Sequence, residues 1–420
     1  MSEDRELAIV VGLQLPESRF MEVDESLLEL GALAYTAGAR VVDEIVQVRS
    51  NPDVATYVGR GKLEEISELL NIHGAELVIF DDELTPAQLR NIEEILNAKV
   101  LDRTQLILDI FAQRARTREA QLQVDLAQMQ YLLPRLVGRG TALSRLGGGI
   151  GTRGPGETKL ETDRRRIRQR IANLKKEIEE IRSQRSLQRH ARRRNSVPVA
   201  ALVGYTSAGK STLLNRLTGA QVFVEDQLFA TLDPTIRRSE IPPSGQPVLF
   251  VDTVGFIRKL PHTLVAAFRA TLEEVMSADI LIHVVDATAY NMESQMSAVF
   301  EVLEELGCAG RPLITVFNKV DDLSRRAVVS KLLTQTPDSI AMSALTGSGL
   351  DGLFALLEQK LGERLTYGNY VIPYDQAGII AAMREVGQVV EEHYTATGIR
   401  LQVGLPHGSA QRWAEFRAGS

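Results

Sequence analysis

Apolar positions along residues 6–104 alternate between two spacings, which predicts an α/β layer. Short β-branched runs predict strands at residues 8–13, 41–48, 76–80 and 99–101. Amphipathic stretches between them predict helices at 26–36, 62–72 and 86–97. Regular alternation of strands and helices is typical of parallel pairing. Thr85 and Pro86 suit the N-cap and first position of a helix, and residues 58–62 suit a turn that leads into one.

Two heptad-patterned stretches follow and predict an antiparallel helical hairpin. Pro134 should end or kink the first helix early. The second helix is predicted over residues 162–189, about 40 Å long at 1.5 Å per residue. The two apolar seams, both spaced 4, 3, 4, 3, are Leu122, Leu126, Met129, Leu133 and Leu136, and Ile167, Ile171, Leu174, Ile178 and Ile181.

The connection between these helices, residues 138–159, contains eight glycines and cannot form a core. Exposed backbone N–H groups flanked by cations suit contact with phosphates, so we expect RNA binding here. A plain flexible linker is the alternative, because no aromatic stacking platform accompanies the cations. The residues we assign to RNA binding are Arg139, Arg145, Gly149, Arg153 and Lys159.

Charge is distributed very unevenly along the 420 residues. The net charge is −6, yet residues 135–194 carry 18 Lys and Arg against 6 Asp and Glu, which is +12 and leaves −18 elsewhere. An apolar content of 44% and a charged content of 24% exclude disordered, collagen-like and disulfide-rich classes. Because no apolar run is long enough for a membrane span and the N-terminus is acidic, we expect a soluble, cytoplasmic protein. We also expect a monomer. We also expect Cys308 and His283 to be buried core residues.

A phosphate-binding loop follows a predicted strand at residues 197–203 and precedes a helical run. It fits G-x-x-x-x-G-K-[ST] in the strand–loop–helix context that the motif requires. Lys210 is expected to reach the β- and γ-phosphates, and Ser211 to offer its hydroxyl to Mg²⁺. The loop comprises Gly204, Tyr205, Thr206, Ser207, Ala208, Gly209, Lys210, Ser211 and Thr212.

A second strand, residues 248–251, leads into D-x-x-G. Asp252 can hold Mg²⁺ through water, and Gly255 lets a backbone N–H approach the γ-phosphate. Between the two motifs, a hydroxyl should complete the Mg²⁺ shell; Thr231 and Thr235 compete, and we favour Thr231. The segments concerned are Asp252, Thr253, Val254 and Gly255, and Phe229, Ala230, Thr231, Leu232 and Asp233.

A third strand, residues 313–317, leads into the motif N-K-x-D. The Asp321 carboxylate can accept two hydrogen bonds from guanine, and the Lys319 stem can cover the ring face. A further backbone N–H for the guanine O6 is expected from Ser343, Ala344 and Leu345. We therefore predict that three neighbouring strand ends hold a guanine nucleotide, with the base selected by Asn318, Lys319, Val320 and Asp321.

Phe256 stands directly after Gly255, where many GTPases carry a glutamine that orients the attacking water. A phenyl ring cannot hydrogen-bond water, so we expect slow intrinsic GTP hydrolysis. We assign catalytic roles to Lys210, Thr231 and Gly255.

The chain divides into four expected domains. They are an α/β domain at 1–115, a helical hairpin at 116–195, a P-loop GTPase domain at 196–365, and a small α+β unit at 366–420. The last unit is expected to have strands near 370–372 and 399–403 around a helix at 377–392.

With these motifs, the chain resembles the HflX family of translation-factor-class GTPases over nearly its whole length. The resemblance is carried by residues 148–161 (GGIGTRGPGETKLE), 229–233 (FATLD) and 252–256 (DTVGF). It implies GTP and Mg²⁺ as ligands, with Mg²⁺ on Ser211 and Thr231. It also implies GTP-dependent binding to the large ribosomal subunit, with the hairpin tip at rRNA near the peptidyl-transferase region, and splitting or rescue of stalled ribosomes.

Two other functions compete with this ribosome-bound switch. One is a GTP-regulated RNA-modifying or RNA-remodelling enzyme, although residues 1–115 contain no metal cluster or nucleophile–base pair that we identify. The other is an RNA-binding scaffold with an inactive nucleotide site, which the intact nucleotide motifs disfavour.

Overall fold

The computed structural model describes residues 5–16, 20–136, 155–194, 197–219, 228–229, 232–259, 272–308, 310–322, 326–363 and 365–418. The chain forms two compact units. The N-terminal unit contains residues 1–181 together with 227–230 and 258–269, and the second unit contains 182–226, 231–257 and 270–420.

The N-terminal unit is built on a four-stranded parallel sheet, as the alternating pattern predicts. The strands are β1 Glu6–Gln14, β2 Ala39–Val48, β3 Leu77–Phe80 and β4 Lys99–Asp102, in the order β2-β1-β3-β4. The helices are α1 Phe20–Thr36, α2 Arg60–His73, α3 Pro86–Leu96 and α4 Arg103–Arg114. The core between sheet and helices includes Ile9, Val11, Val78, Phe80 and Ile92, all fully buried.

Local sequence explains where these helices begin. Gly59 is the N-cap of α2, so residues 58–62 are the turn into a helix that the pattern predicts. Thr85 forms a capping box at the start of α3, with its hydroxyl accepting from the Gln88 N–H at 3.2 Å. Asp102 caps α4 by accepting from the Gln105 N–H at 2.9 Å.

The hairpin helices are α5 Arg118–Arg135 and α6 Pro155–Arg194. Helix α5 ends one residue after Pro134, and α6 is 40 residues long, about 60 Å, which exceeds the predicted 162–189. Leu122, Leu174 and Ile178 form a shared buried cluster. The helices run antiparallel, because Arg118 pairs with Glu177 at 2.8 Å while Asp125 pairs with Arg170 at 3.4 Å.

The predicted RNA-binding residues lie outside this description. Arg139, Arg145, Gly149 and Arg153 are not among the described residues. Lys159 lies within α6, but its side chain is not described. Their assignment to RNA binding stays a prediction.

The second unit contains a six-stranded sheet with five parallel strands. The strands are β5 Val199–Gly204, β6 Thr235–Ile241, β7 Gln246–Asp252, β8 Ile280–Asp286, β9 Leu313–Asn318 and β10 Ser339–Ala341, in the order β10-β9-β8-β5-β7-β6 with β6 antiparallel. The helices are α7 Lys210–Thr218, α8 Met292–Glu305, α9 Arg326–Gln335 and α10 Leu350–Gly362. Because β8 lies between β5 and β9, the expectation that the three motif strands are immediate neighbours is wrong.

Both residues predicted to be core residues are buried in this unit. Cys308 is buried, as expected of a small apolar side chain. His283 is 1% exposed, and burial, with a smaller contribution from the charge of Lys210, lowers its pKa to about 3. His283 is therefore a neutral core residue at physiological pH.

The last part of the second unit is a three-stranded antiparallel sheet. Its strands are β11 Leu365–Ile372, β12 Gln388–Thr395 and β13 Gly398–Pro406, in the order β11-β13-β12, with α11 Gly378–Val386 and α12 His407–Arg412. The helix predicted over 377–392 is therefore wrong beyond Val386. Gly387 ends it in extended backbone, close to β13: a Cβ there would lie 2.4 Å from the Gly404 carbonyl oxygen. Among the described residues, none of the helices is both long and apolar enough to cross a membrane.

Candidate nucleotide site

The phosphate loop joins β5 to α7, and Gly209 determines its shape. Gly209 is the N-cap of α7 with φ +94°, a left-handed conformation that favours glycine. A Cβ at this position would lie 2.3 Å from the Asn318 Nδ2. The loop can therefore pass this close to the end of β9 only with glycine here.

Lys210 lies at the start of α7 and is buried beneath the loop. Its ammonium donates to the Gly204 carbonyl at 3.1 Å and to the Tyr205 carbonyl at 2.8 Å. Burial lowers the pKa of Lys210 to about 8, and the charge of Asp252 opposes this shift. At neutral pH the side chain is a cation held at the inner wall of the loop.

Ser211 and Asp252 bring two hard oxygen donors together, as the sequence predicts for Mg²⁺. The Ser211 hydroxyl donates to the Asp252 Oδ2 at 2.6 Å, and Asp252 is fully buried at the end of β7. Hydroxyl and carboxylate oxygens are ligands that Mg²⁺ prefers, with water and phosphate oxygens completing its shell. This donor pair fits Mg²⁺, which when bound neutralises charge on the phosphates. Thr253 instead has a structural role, since its hydroxyl donates to the Leu202 carbonyl at 2.6 Å.

Gly255 and Phe256 lie directly on the phosphate loop. The Thr206 N–H donates to the Phe256 carbonyl at 2.8 Å, and the Phe256 N–H donates to the Gly204 carbonyl at 3.1 Å. A Cβ on Gly255 would lie 2.7 Å from the Thr206 Cγ2 and 3.0 Å from the Lys210 Nζ. The Phe256 ring is buried, so this side chain offers neither a polar group nor an exposed surface to an attacking water.

The guanine motif follows β9, and its residues divide into two roles. Asn318 is buried and joins two loops: its Nδ2 donates to the Ala208 carbonyl at 2.9 Å, and its Oδ1 accepts from the Ala344 N–H at 2.8 Å. Lys319 has φ +65° and donates to Asp286 at 2.6 Å. Asp321 is exposed, which leaves its carboxylate accessible to a base. Val320 is half-buried beside them.

Residues 343–345 form the loop expected to reach the guanine O6. Ser343 is fully buried, and its hydroxyl accepts from the Thr346 N–H at 3.1 Å. Arg216 on α7 donates to the Ala344 carbonyl at 3.1 Å and also to the Leu345 carbonyl. The loop is therefore held from the β9 side by Asn318 and from the α7 side by Arg216.

The segment that carries the competing threonines is only partly described. Phe229 and Leu232 are buried, and Asp233 is half-buried. Ala230 and Thr231 lie outside the described residues, so the Mg²⁺ and catalytic roles of Thr231 stay predictions. Thr235 begins β6 and pairs with Asp252 in the sheet register.

Sequence reasoning missed two residues of this site. Asp286, at the end of β8, pairs with Lys319; an aspartate at the end of an apolar strand is a signal that could have found it. Arg216 fixes the 343–345 loop, but an arginine 128 residues from its partner gives no local signal. Both contact residues that are expected to hold the base rather than the phosphates.

Together these residues can perform phosphoryl transfer to water. Loop N–H groups and the Lys210 ammonium stabilise negative charge on the phosphates, and the Asp252–Ser211 pair suits the divalent ion. The group that orients the water is not supplied by Phe256.

Three family models match successive parts of the chain. The model described as GTP-binding GTPase N-terminal matches residues 24–112, GTP-binding GTPase Middle Region matches 114–192, and 50S ribosome-binding GTPase matches 199–319. In structure, the chain is similar to a GTP-binding protein from the archaeon Sulfolobus solfataricus in complex with GDP, with 27% identity, a TM-score of 0.44, and coverage of 85% of this chain and 99% of that one.

Curated relatives match almost from end to end. GTPase HflX from Caldanaerobacter subterraneus is 48% identical over 421 residues, covering 99% of this chain and 95% of the relative. GTPase HflX from Escherichia coli is 43% identical over 403 residues, covering 96% and 94%. Identity at this level over nearly the full length establishes that the chain belongs to the HflX family of GTPases, which bind guanine nucleotides and hydrolyse GTP to GDP and phosphate.

Proposed function

We propose that the GTP-bound protein binds the large ribosomal subunit through its basic hairpin, and that hydrolysis releases it. The observation that carries this proposal is the concentration of +12 charge in residues 135–194 of a chain whose net charge is −6. A cationic segment is attracted to rRNA phosphates, whereas the acidic remainder is repelled by them. The match of residues 199–319 to a model for 50S ribosome-binding GTPases supports the same partner.

The described part of α6 supports a nucleic-acid contact. Most of its described cations lie on exposed positions, and two of them have only distant surface partners within the helix: Arg166–Asp163 at 3.8 Å and Arg168–Glu161 at 3.6 Å. Such pairs contribute little to stability, so an RNA phosphate can replace them at low cost. The exposed cations of this surface are Arg165, Arg166, Arg168, Arg170, Lys175 and Lys176.

The finer parts of the proposal rest on the family resemblance. They are contact of the glycine-rich tip with rRNA near the peptidyl-transferase region, action as a cytoplasmic monomer, and splitting or rescue of stalled ribosomes. The four-domain division at residues 115, 195 and 365 belongs to the same proposal, because it assigns RNA contact to the hairpin and nucleotide sensing to the GTPase domain.

Co-sedimentation with separated ribosomal subunits tests this function. The purified chain is mixed with large or small subunits in the presence of a non-hydrolysable GTP analogue or of GDP. We expect binding to the large subunit with the analogue only. Equal binding with both nucleotides would overturn the switch, and unchanged binding after deletion of residues 147–156 would overturn the role of the tip.

A matched pair of double variants tests the helix surface. Arg165→Gln with Arg166→Gln should weaken large-subunit binding and reduce the slope of log affinity against log salt by roughly 0.7 to 0.9 for each phosphate that the variant no longer neutralises. Arg237→Gln with Arg238→Gln removes two adjacent exposed arginines from β6 and should leave the slope unchanged. Equal effects of the two pairs would show that only total charge matters.

A further inference from the structure

The strand order of the N-terminal sheet predicts a crevice at the carboxyl ends of β1 and β3, of the type in which α/β proteins bind ligands. With the order β2-β1-β3-β4, the chain leaves β1 toward one edge of the sheet and leaves β3 toward the other. Ligands of open parallel sheets bind outside the carboxyl ends of the strands at such a point. Asp81 and Asp82 follow β3 directly and therefore lie at this crevice.

A lysine that follows the D-x-x-G motif pairs with both of these carboxylates, and its side chain is 44% exposed. The Lys259 ammonium donates to the Asp81 Oδ2 at 2.5 Å and to the Asp82 Oδ1 at 2.6 Å. Lys259 has φ +50°, which side-chain-bearing residues rarely adopt unless their surroundings impose it. The preceding Arg258 pairs with Glu25 of α1 at 2.6 Å.

The crevice is a built cation site rather than a chance surface contact. The Asp81 side chain is 3% exposed and also accepts from Arg103 at 2.8 Å and from the Ser26 hydroxyl at 2.7 Å. Burial raises the pKa of Asp81, but the charges of Arg103 and Lys259 and the hydrogen bonds from Lys259 and Ser26 outweigh it, so the pKa lies below its ordinary value. The carboxylate therefore remains ionised and continues to attract a cation.

A second segment that is close to the nucleotide motifs along the chain also belongs to the N-terminal unit. Phe229, two residues before Thr231, is buried and packs edge-on against Phe111 of α4, with ring centroids 4.6 Å apart. Like Lys259, Phe229 has a positive φ, +57°. The N-terminal unit thus includes residues from both of the segments that GTPases rearrange with their nucleotide.

Lys259 is only four residues after Gly255, which connects the crevice to the phosphate site along the chain. A γ-phosphate must fit between the Lys210 ammonium and the Gly255 N–H. In this structure a single methyl group on Gly255 would already be 3.0 Å from the Lys210 Nζ and 2.7 Å from the Thr206 Cγ2. Residues 255–256 therefore lie close against the loop, and we expect them to withdraw from it when triphosphate binds.

We propose that Lys259 is a positioning residue. Its contacts with Asp81 and Asp82 stabilise the arrangement in which residues 255–256 lie on the phosphate loop. Triphosphate binding withdraws Lys259 from these two carboxylates. The N-terminal unit then senses which nucleotide is bound. The group that it binds in order to do so is the Lys259 side chain of the same chain. This inference goes beyond the ribosomal function, because it concerns the isolated chain and requires no partner.

Nucleotide titration of the full chain tests the proposal. Fluorescent GDP and a fluorescent non-hydrolysable GTP analogue are titrated with Mg²⁺ into wild type and Lys259→Met, which keeps the length of the side chain and removes its charge. We expect the variant to favour the triphosphate analogue over GDP by about fivefold or more relative to wild type, the lower end of usual coupling strengths. An unchanged ratio in a folded variant would overturn the coupling.

Two control variants separate this coupling from a general loss of charge. Lys259→Arg retains the cation and should keep the wild-type ratio. Lys62→Met removes another N-terminal lysine with a 2.6 Å partner, Glu65, and should also leave the ratio unchanged. A shift as large in Lys62→Met as in Lys259→Met would refute a specific role.

The crevice can also be tested from its other side. Asp82→Asn alters a partly exposed carboxylate and leaves the buried Asp81–Arg103 pair in place, so it provides a folded variant if Lys259→Met does not. Asp82→Asn should shift the ratio in the same direction, and the double variant of Asp82→Asn with Lys259→Met should shift it by less than the sum of the two single shifts.

Hydrogen exchange of residues 77–85 should be faster with the analogue than with GDP in wild type. Equal exchange rates with the analogue and with GDP would contradict the withdrawal of Lys259.

Discussion

Gly209→Ala is expected to weaken guanine nucleotide binding far more than a stereochemically similar substitution at the other end of the same helix. The new Cβ would lie 2.3 Å from the Asn318 Nδ2, against an ordinary contact of 3.4 Å, so the amide must move by about 1 Å. That displacement breaks the hydrogen bonds of Asn318 to the Ala208 carbonyl and the Ala344 N–H, at 2.9 and 2.8 Å. The phosphate loop and the base loop then lose the side chain that joins them.

The magnitude follows from those two hydrogen bonds. Leaving a buried donor or acceptor unsatisfied costs about 1–3 kcal/mol, so the two together cost about 2–6 kcal/mol. At 1.4 kcal/mol for each factor of ten, the dissociation constant for GDP should rise between roughly 30-fold and 20,000-fold. Equilibrium titration with fluorescent GDP and Mg²⁺ measures this change, and circular dichroism checks that the variant is folded.

Gly219→Ala is the matched control. Gly219 ends α7 with φ +64°, so alanine there has a similar backbone cost, but a Cβ would meet nothing within 4 Å. Its GDP affinity should stay close to that of wild type. Equal affinities in Gly209→Ala and Gly219→Ala would refute the argument, as would fully additive losses when Gly209→Ala is combined with Asn318→Ala.

Two further predictions concern the base and the phosphates. Asp321→Asn should shift preference from guanine to xanthine nucleotides, because the amide can donate to the xanthine oxygen where the carboxylate accepted from guanine; competition binding measures the preference, and retained selection of guanine would show that another group reads the base. Since burial lowers the pKa of Lys210 to about 8, the free chain loses this proton as pH rises above that value, and phosphate binding must take it up again. GDP affinity should therefore fall by up to about tenfold per pH unit between about pH 8 and 10, and calorimetry in two buffers of different ionisation enthalpy should show proton uptake. Affinity that is constant over this range, after correction for nucleotide titration, would mean that Lys210 stays charged.

The phosphate half of the site could be predicted because its signals are local. The loop at 204–212 and D-x-x-G at 252–255 each follow their own apolar strand, and the parallel pairing of β5 with β7 brings Ser211 within 2.6 Å of Asp252. The parallel N-terminal sheet was predictable for the same reason, since each of its strands and helices carries its own periodicity.

The remaining features depend on contacts between distant residues. The apolar spacing of α11 continues past Val386 into β12, so the pattern predicts a helix where pairing with β13 imposes a strand. Likewise, the placement of β8 between β5 and β9 is a property of the sheet. The Lys259 contact with Asp81 joins residues 178 positions apart, and neither the lysine nor the aspartate belongs to a recognisable motif.

The burial of Phe256 has a consequence for the rate at which this protein hydrolyses GTP. Because Phe256 cannot align an attacking water, we expect the chain to consume little GTP away from its target, so most of the cellular pool should remain loaded. If the target contributes the missing group, GTP hydrolysis begins there and the target sets how long the protein stays bound. Turnover of the isolated chain is therefore an idling rate, and it should not be used to estimate how long the protein remains at its site of action.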